Sequence, residues 1–118
     1  MTDGLAKLMQ FQTDALRLRS YRQELLSANI ANSDTPNYKS VDFDFSQALK
    51  AAQTPGSAGS ADPVPTLQYR IPAQSSLDGN SVEMDAERAK FAENTVRYEA
   101  AMRVLTLQIK TMLAAIAG

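Results

Sequence analysis

Hydrophobic residues in the first thirty positions recur at helical intervals. Beyond the candidate N-cap residues Thr2 and Asp3, a main stripe advances by three, four or seven residues through Leu5, Leu8, Phe11, Ala15, Leu18 and Leu25. A second row adjoins it, formed by Met9, Leu16, Leu26 and Ile30. The pattern predicts one amphipathic helix from Asp3 to Ala31, with a face wide enough to contact more than one neighbour. We expect the second row to remain exposed in a single subunit.

The last third of the chain predicts another helix, from Asp85 to Ala117. One heptad position is filled by Met84, Phe91, Tyr98, Leu105 and Met112, and we assign the second to Arg88, Thr95, Met102, Ile109 and Ile116. At ~1.5 Å per residue the two helices would be ~43 Å and ~50 Å long. Their similar lengths predict that they pack against each other, leaving apolar residues such as Leu107, Leu113 and Ala114 exposed.

The segment between the helices is poor in core-forming residues. Pro36 prevents the first helix from continuing. Apolar and polar residues alternate over residues 41–45, which predicts a half-buried extended segment with Phe43 and Phe45 packed on a helix. The pattern of residues 46–52 predicts a short helix. Residues 53–66 hold three of the five prolines and indicate a linker, residues 67–72 predict one edge strand, and Asp78-Gly79 marks a turn. The predicted fold is therefore mainly α, with an N-terminal helical part (1–35), an extended middle (36–80) and a C-terminal helical part (81–118).

Composition narrows the possible functions. The chain has 118 residues, 12 basic and 13 acidic, with a formal net charge of −1, and no basic tract for nucleic acid. It has no cysteine and no histidine, which removes thiolate chemistry, disulfides and the commonest general base. We expect no cofactor, no metal and no small-molecule substrate. The N-terminus does not have the pattern of a Sec signal peptide, and we expect no membrane span.

Charged residues in two places merit a chemical interpretation. Asp42 and Asp44 share one face of an extended segment, but neither they nor Glu83 has an orienting partner that would indicate catalysis. We therefore expect no enzymatic activity. Arg17, Arg19 and Arg22 lie close together on the first helix, and we expect a solvated or ion-paired face, with Arg22 bound to a carboxylate of a neighbouring helix.

A motif at the end of the first helix is more informative. Asn29-Ile30-Ala31-Asn32 is followed by Asp34-Thr35-Pro36-x-Tyr38, about 25 residues into the chain and behind an amphipathic helix. This stretch resembles the N-terminal signature shared by flagellar rod and hook proteins, and the C-terminal helix is the other half of that pattern. Residues 79–98 most resemble a proximal rod member of the flagellar basal-body rod protein family. The same two ends also fit its sibling proximal rod protein.

The resemblance implies a structural subunit of the periplasm-crossing rod, exported by the flagellar type III apparatus without a cleaved signal peptide. Implied partners are other copies of the chain, other rod proteins, the adaptor FliE, and the basal-body MS ring and export gate. The residues assigned to assembly are Asn29, Asn32, Asp34, Pro36 and Tyr38 of the signature and Phe91, Tyr98, Met102, Leu105 and Ile109 of the C-terminal helix. A free-standing coiled-coil adaptor or secretion chaperone is the alternative.

Overall fold

Two long helices and a short middle segment make up the computed structural model of the chain, which describes residues 2–53, 65–69 and 82–117. Helix α1 spans Thr2–Ala31 and helix α3 spans Met84–Ala117, one residue longer at its start than predicted. Between them lie strand β1 (Val41–Asp42), helix α2 (Phe45–Gln53) and strand β2 (Gln68–Tyr69). The molecule is elongated, with extents of 64 × 29 × 19 Å. The predicted pair of terminal helices is confirmed.

The two long helices are antiparallel. Asn29, near the end of α1, donates a hydrogen bond to Glu87 in the first turn of α3 (3.0 Å). Six residues earlier in α1, Gln23 donates to Thr95, eight residues further along α3 (2.7 Å). Residue numbers therefore fall along one helix as they rise along the other, and the start of α1 and the end of α3 lie at the end of the pair opposite the signature.

The middle segment packs on α1 through Phe43 and Phe45, as predicted. Phe43 is buried and stacks on Tyr21 with ring centroids 5.6 Å apart, and the Arg19 guanidinium lies 3.8 Å above the Phe45 ring. The predicted edge strand pairs antiparallel with β1, with Val41 opposite Tyr69. Most of the expected linker and the Asp78-Gly79 turn lie outside the described residues.

The second heptad position predicted for α3 is wrong by one residue, except at Thr95, which is partly protected and bonds Gln23 of α1. Met102, Ile109 and Ile116 are 41%, 40% and 79% exposed. Instead, a continuous row of protected residues follows steps of three and four: Met84, Glu87, Phe91, Asn94, Tyr98, Ala101, Leu105, Gln108 and Met112. Glu87, Asn94 and Gln108 each precede by one residue a position assigned to the contact, namely Arg88, Thr95 and Ile109. Packing and hydrogen bonding determine the contact, and side-chain hydropathy alone does not.

The two apolar rows of α1 have two different partners. On one side of α1, Gln23 donates a hydrogen bond to Thr95 of α3. The second apolar row lies beside Gln23 and is protected from solvent, with Leu26 fully buried. On the other side, Ala15 and Leu18 of the main stripe are buried next to residues that contact the middle segment. The prediction of a face with more than one neighbour is confirmed, but the expectation that the second row stays exposed is wrong.

Burial is concentrated at the signature end of the molecule. Every described residue classed as buried lies within positions 15–43 or 87–94. In the half of the helix pair that contains the start of α1 and the end of α3, the described residues are at best partly protected. Leu8 and Phe11 there are 44% and 37% exposed. The subunit thus has a well-packed half and a poorly covered half, and the second half forfeits the stabilisation that burying its apolar surface would give.

The expectation of no possible membrane span needs correction. Helix α3 contains an 18-residue window with mean hydropathy 1.3 and no more than two charged residues, enough by length and composition to cross a bilayer. None of that window is buried in the single chain. A helix of this kind in an assembling protein is equally suited to packing between other helices, so length and hydropathy do not by themselves indicate a membrane.

Candidate assembly site

The signature forms a tight turn that ends α1. The Asn32 amide N–H donates to the carbonyl of Ala28 (3.0 Å), and the Asn32 side-chain Nδ2 donates to the same carbonyl (2.8 Å). Thr35 then donates through Oγ1 to Asn32 Oδ1 (3.0 Å). Short polar side chains thus satisfy the last backbone groups of the helix before the chain turns. Asn37 lies in the left-handed region with φ of 64°, which asparagine tolerates better than most residues.

Asn29 is the structural centre of this turn. Its side chain is fully buried, and its Nδ2 donates to the Val41 carbonyl (2.8 Å) and to Glu87 Oε2 (3.0 Å). Its Oδ1 accepts from the Val41 N–H (3.1 Å) and from the Tyr38 hydroxyl (3.1 Å). One amide therefore joins α1, the segment after the turn and the start of α3.

Tyr38 keeps its proton in this arrangement. Partial burial, and secondly the Glu87 carboxylate, raise the pKa of Tyr38 above its ordinary value. The phenol is therefore neutral across the physiological range and remains a hydrogen-bond donor to Asn29.

The acidic pair considered for catalysis has structural roles. Asp42 accepts two bonds from Arg22, at 3.0 and 3.1 Å, with both side chains 15% exposed. This confirms that Arg22 is ion-paired, although its partner lies in β1 and not in a helix. Asp44 Oδ1 accepts from the Gln47 N–H (3.1 Å) and caps α2. Within the described residues, no group of three or more acidic side chains is placed to hold a metal ion.

The predicted assembly residues fall into three groups. Asn29 and Tyr38 bind each other inside the subunit, whereas Asp34 and Pro36 are exposed on the turn and Asn32 is partly protected. The third group is on α3, where Phe91, Tyr98 and Leu105 are partly protected against α1, and Met102 and Ile109 are exposed. The structure does not bring the turn and the distal α3 residues together.

Sequence reasoning missed a second set of residues, the buried polar groups between the long helices. Asn94 is fully buried, and its Nδ2 donates to the Arg19 carbonyl (2.9 Å) and to Gln23 Oε1 (2.7 Å). Glu87, in the first turn of α3, is also fully buried. The available signal was their spacing of seven residues, which continues through Ala101 and Gln108.

The exposed apolar surface lies mainly on one element. We call this set of large hydrophobic residues, each at least 40% exposed, the apolar surface of α3: Val96, Met102, Val104, Leu107, Ile109, Leu113 and Ile116. A concentration of this kind on one helix is typical of a protein–protein contact and not of a monomer's ordinary surface. It offers no clustered acid, base or nucleophile.

Comparison with known proteins identifies the class. Residues 9–39, which contain most of α1 and the whole signature, match the family model described as "Flagella basal body rod protein". The chain belongs to the flagellar basal body rod protein family.

Its relatives define the member more closely. The flagellar basal body rod protein FlgB of Escherichia coli (strain K12) is 42% identical over 131 aligned positions, covering 96% of this chain and 95% of the relative. FlgB of Salmonella typhimurium is 40% identical with 100% and 99% coverage, and FlgB of Cereibacter sphaeroides is 38% identical with 98% coverage of both. Since 131 aligned positions exceed the 118 residues of this chain, the Escherichia coli relative carries residues that this chain lacks.

Proposed function

We propose that this chain is a structural subunit of the bacterial flagellar basal-body rod and occupies the position that FlgB occupies in its relatives. Near-full-length similarity to several proteins of that name supports the assignment and favours it over the sibling rod protein FlgC. The observation that carries it structurally is the apolar surface of α3, which the chain leaves uncovered.

The uneven packing of the subunit explains why it would need neighbours. The half near the signature contains the buried residues, and the half near the termini contains most of the apolar surface of α3. Each ~100 Å² of apolar surface covered on assembly contributes ~2.5 kcal/mol. A few such contacts are comparable with the whole stability of a small domain. Assembly would therefore complete the fold of the terminal half.

The shape of the contact favours an extended array. A long helical pair with exposed apolar residues on α3 and a differently composed turn at one end presents two unlike surfaces. Contacts between unlike surfaces repeat head to tail and generate helical or ring-like assemblies. Asp34 and Pro36, exposed on the turn, are the signature residues best placed to contact an adjacent subunit. Asn29 and Tyr38 would act indirectly, by holding that turn in shape.

The finer assignments come from family resemblance. These are placement in the periplasmic, proximal part of the rod, export without a cleaved signal peptide, and contact with FliE, the MS ring and the export gate. Membership of the rod family supports contact with other copies and other rod proteins first. A structural role requires stiffness and packing, and the hydrogen-bonded roles of Asp42 and Asp44 fit it better than catalysis.

A charge placed on the apolar surface of α3 tests the proposal. Leu107 is 63% exposed, so Leu107→Glu should leave the subunit's own packing intact while preventing incorporation into rods. Arg103→Gln, on the same exposed helix, changes net charge by the same amount without charging an apolar position. Each variant would be expressed in a strain lacking its own rod subunit, scored for motility, and purified for circular dichroism.

We expect the Leu107 variant to retain the helicity of the purified chain but to form no rods, and the Arg103 variant to restore motility. Normal rods built from the Leu107 variant would exclude this surface as the contact. Failure of the unmodified chain to restore motility in a strain lacking FlgB would argue against the FlgB position itself.

A further inference from the structure

The contact between α1 and α3 repeats every seven residues, which creates a problem of register. The protected α1 positions on the side of α3 advance by four and three: Leu5, Met9, Gln12, Leu16, Arg19, Gln23, Leu26 and Ile30. The protected α3 positions advance in the same way. With Gln23 opposite Asn94, this spacing places Leu26 opposite Phe91, Leu16 opposite Ala101 and Leu5 opposite Met112. If α3 slid along α1 by seven residues, the protected row of α1 would still face the protected row of α3.

A chain of hydrogen bonds exists only in the observed register. The Asn94 amide donates to Gln23 Oε1 (2.7 Å) and to the Arg19 carbonyl (2.9 Å). Gln23 Nε2 in turn donates to Thr95 Oγ1 (2.7 Å), and that hydroxyl donates to the Phe91 carbonyl (2.9 Å). Gln23 on α1 thus accepts a hydrogen bond from Asn94 and donates one to Thr95, both on α3, and Asn94 is fully buried.

A slide by one heptad would break this arrangement in either direction. It would place Asn94 opposite Leu16 or opposite Ile30, and an aliphatic side chain cannot accept the hydrogen bond that Gln23 Oε1 accepts from Asn94. A buried amide without partners costs more free energy than an exposed one. The apolar positions tolerate the slide, since they would still face protected positions. The penalty therefore falls on the polar residues.

We propose that Gln23, Asn94 and Thr95 select the register of the α1–α3 pair. They act as positioning residues. The apolar positions hold the helices together, and the polar residues determine which of several similar alignments is adopted. A buried polar pair is suited to this task because it lowers stability relative to an apolar pair while strongly disfavouring misaligned states. The inference concerns the fold of one subunit and does not depend on the proposed function.

The register has a consequence for the molecular surface. A slide of seven residues moves α3 by ~10 Å along its axis at ~1.5 Å per residue. The apolar surface of α3 would then be displaced by that distance relative to the turn at residues 32–40. Any partner that contacts both regions at once requires the observed register.

Pairs of introduced cysteines measure the register directly, because the sequence contains no cysteine of its own. Gln12→Cys with Leu105→Cys reports the observed alignment. Gln12→Cys with Met112→Cys, or with Tyr98→Cys, reports a slide in one or the other direction. Intramolecular disulfide yield in the dilute full-length chain would be measured on non-reducing gels, and the linked peptides would be identified by mass spectrometry.

We expect the Leu105 pair to form at least ~10-fold more disulfide than either slid pair in the otherwise unmodified chain. Gln23→Leu with Asn94→Leu should keep the chain helical but reduce that ratio at least ~3-fold, since the part of the polar penalty for sliding that falls on Gln23 and Asn94 is removed. Exchanging the two amides, as Gln23→Asn with Asn94→Gln, should largely restore the ratio.

Gln108→Leu is the matched control. Gln108 occupies the same heptad position as Asn94, and its buried Oε1 has no hydrogen-bond partner among the described residues. Its replacement should leave the ratio unchanged. The proposal is overturned if the double leucine variant retains the full ratio, if slid pairs already form equally in the unmodified chain, or if the double leucine variant loses its helicity.

Discussion

Asn29 gives the sharpest prediction about stability. Its fully buried amide makes four hydrogen bonds to three neighbours: the Val41 backbone, the Tyr38 hydroxyl and the Glu87 carboxylate. Asn29→Ala removes all four and leaves a space of a few atoms. The Val41 N–H and C=O would lose the partner that binds them both, at a position too enclosed for full hydration.

The expected cost follows from those contacts. A buried polar group deprived of its partner loses ~1–3 kcal/mol, and the losses around one side chain are not additive. Allowing water to reach Tyr38, which is only partly protected, we expect Asn29→Ala to lower the free energy of unfolding by about 3 kcal/mol. A small domain with few buried apolar residues has roughly 5 kcal/mol to lose. The variant should therefore keep only about 2 kcal/mol of stability at room temperature.

Urea denaturation followed by circular dichroism at low protein concentration measures this loss. With a denaturant slope of ~1–3 kcal/mol per molar, the midpoint should fall by about 1–3 M. Gln10→Ala is the control, since Gln10 is an exposed amide on the same helix that bonds only Asp14 among the contacts described (2.9 Å). It should leave the midpoint unchanged. Equal midpoints for Asn29→Ala and Gln10→Ala would refute the role given to Asn29.

Asn29→Asp separates lost hydrogen bonding from electrostatics. The new carboxylate would lie at the position from which Asn29 now donates to Glu87 at 3.0 Å. Proximity of two buried carboxylates favours a shared proton, so the pKa of the introduced aspartate should be raised. Its folded form is then stabilised while protonated, and that stability is lost as pH rises. We expect the free energy of unfolding of Asn29→Asp, measured relative to that of Asn29→Ala, to be higher at acidic pH than at neutral pH. A difference between the two variants that does not change with pH would contradict this.

Three further predictions concern other contacts. Asp42→Asn should lower the free energy of unfolding by about 1–2 kcal/mol, because it removes the carboxylate that binds Arg22 and both side chains are 15% exposed; an unchanged urea midpoint would contradict it. Asn37→Gly should raise stability by roughly 0.5 kcal/mol, since φ is 64° and glycine adopts this region without strain, and a fall in melting temperature would count against it. In hydrogen exchange of the dilute chain, amides of residues 16–30 and 88–98 should be protected while those of 4–11 and 106–117 exchange rapidly; uniform protection would show that the terminal half needs no neighbours.

The sequence predicted the helices well because their determinants are local. Periodic apolar residues, Pro36 and the short polar residues before it define where α1 ends, and the structure ends it at Ala31. The docking of Phe43 and Phe45 also followed from alternation. Pairing of β1 with β2 was not predicted, because it joins residues on either side of the linker and depends on how the chain returns to α1.

The contact between the long helices was only half predicted. Met102 and Ile109 are apolar and one residue away from Ala101 and Gln108, so hydropathy favoured the wrong position. The seven-residue spacing of Asn94 and Glu87 was too weak a signal to identify them as buried, because a polar residue at such a position is favourable only when its partners on α1 are in reach. The same limit applies to Asn29, which the signature identified as important without showing that it acts inside the subunit.

The central claim, a subunit that is completed by its neighbours, is tested most directly by sedimentation velocity of the purified chain over a wide range of concentrations. We predict a monomer at low concentration that gives way to an open-ended series of larger species as concentration rises, with no preferred final size. A single discrete dimer or tetramer that never grows would contradict the claim, since its apolar surfaces would already be covered.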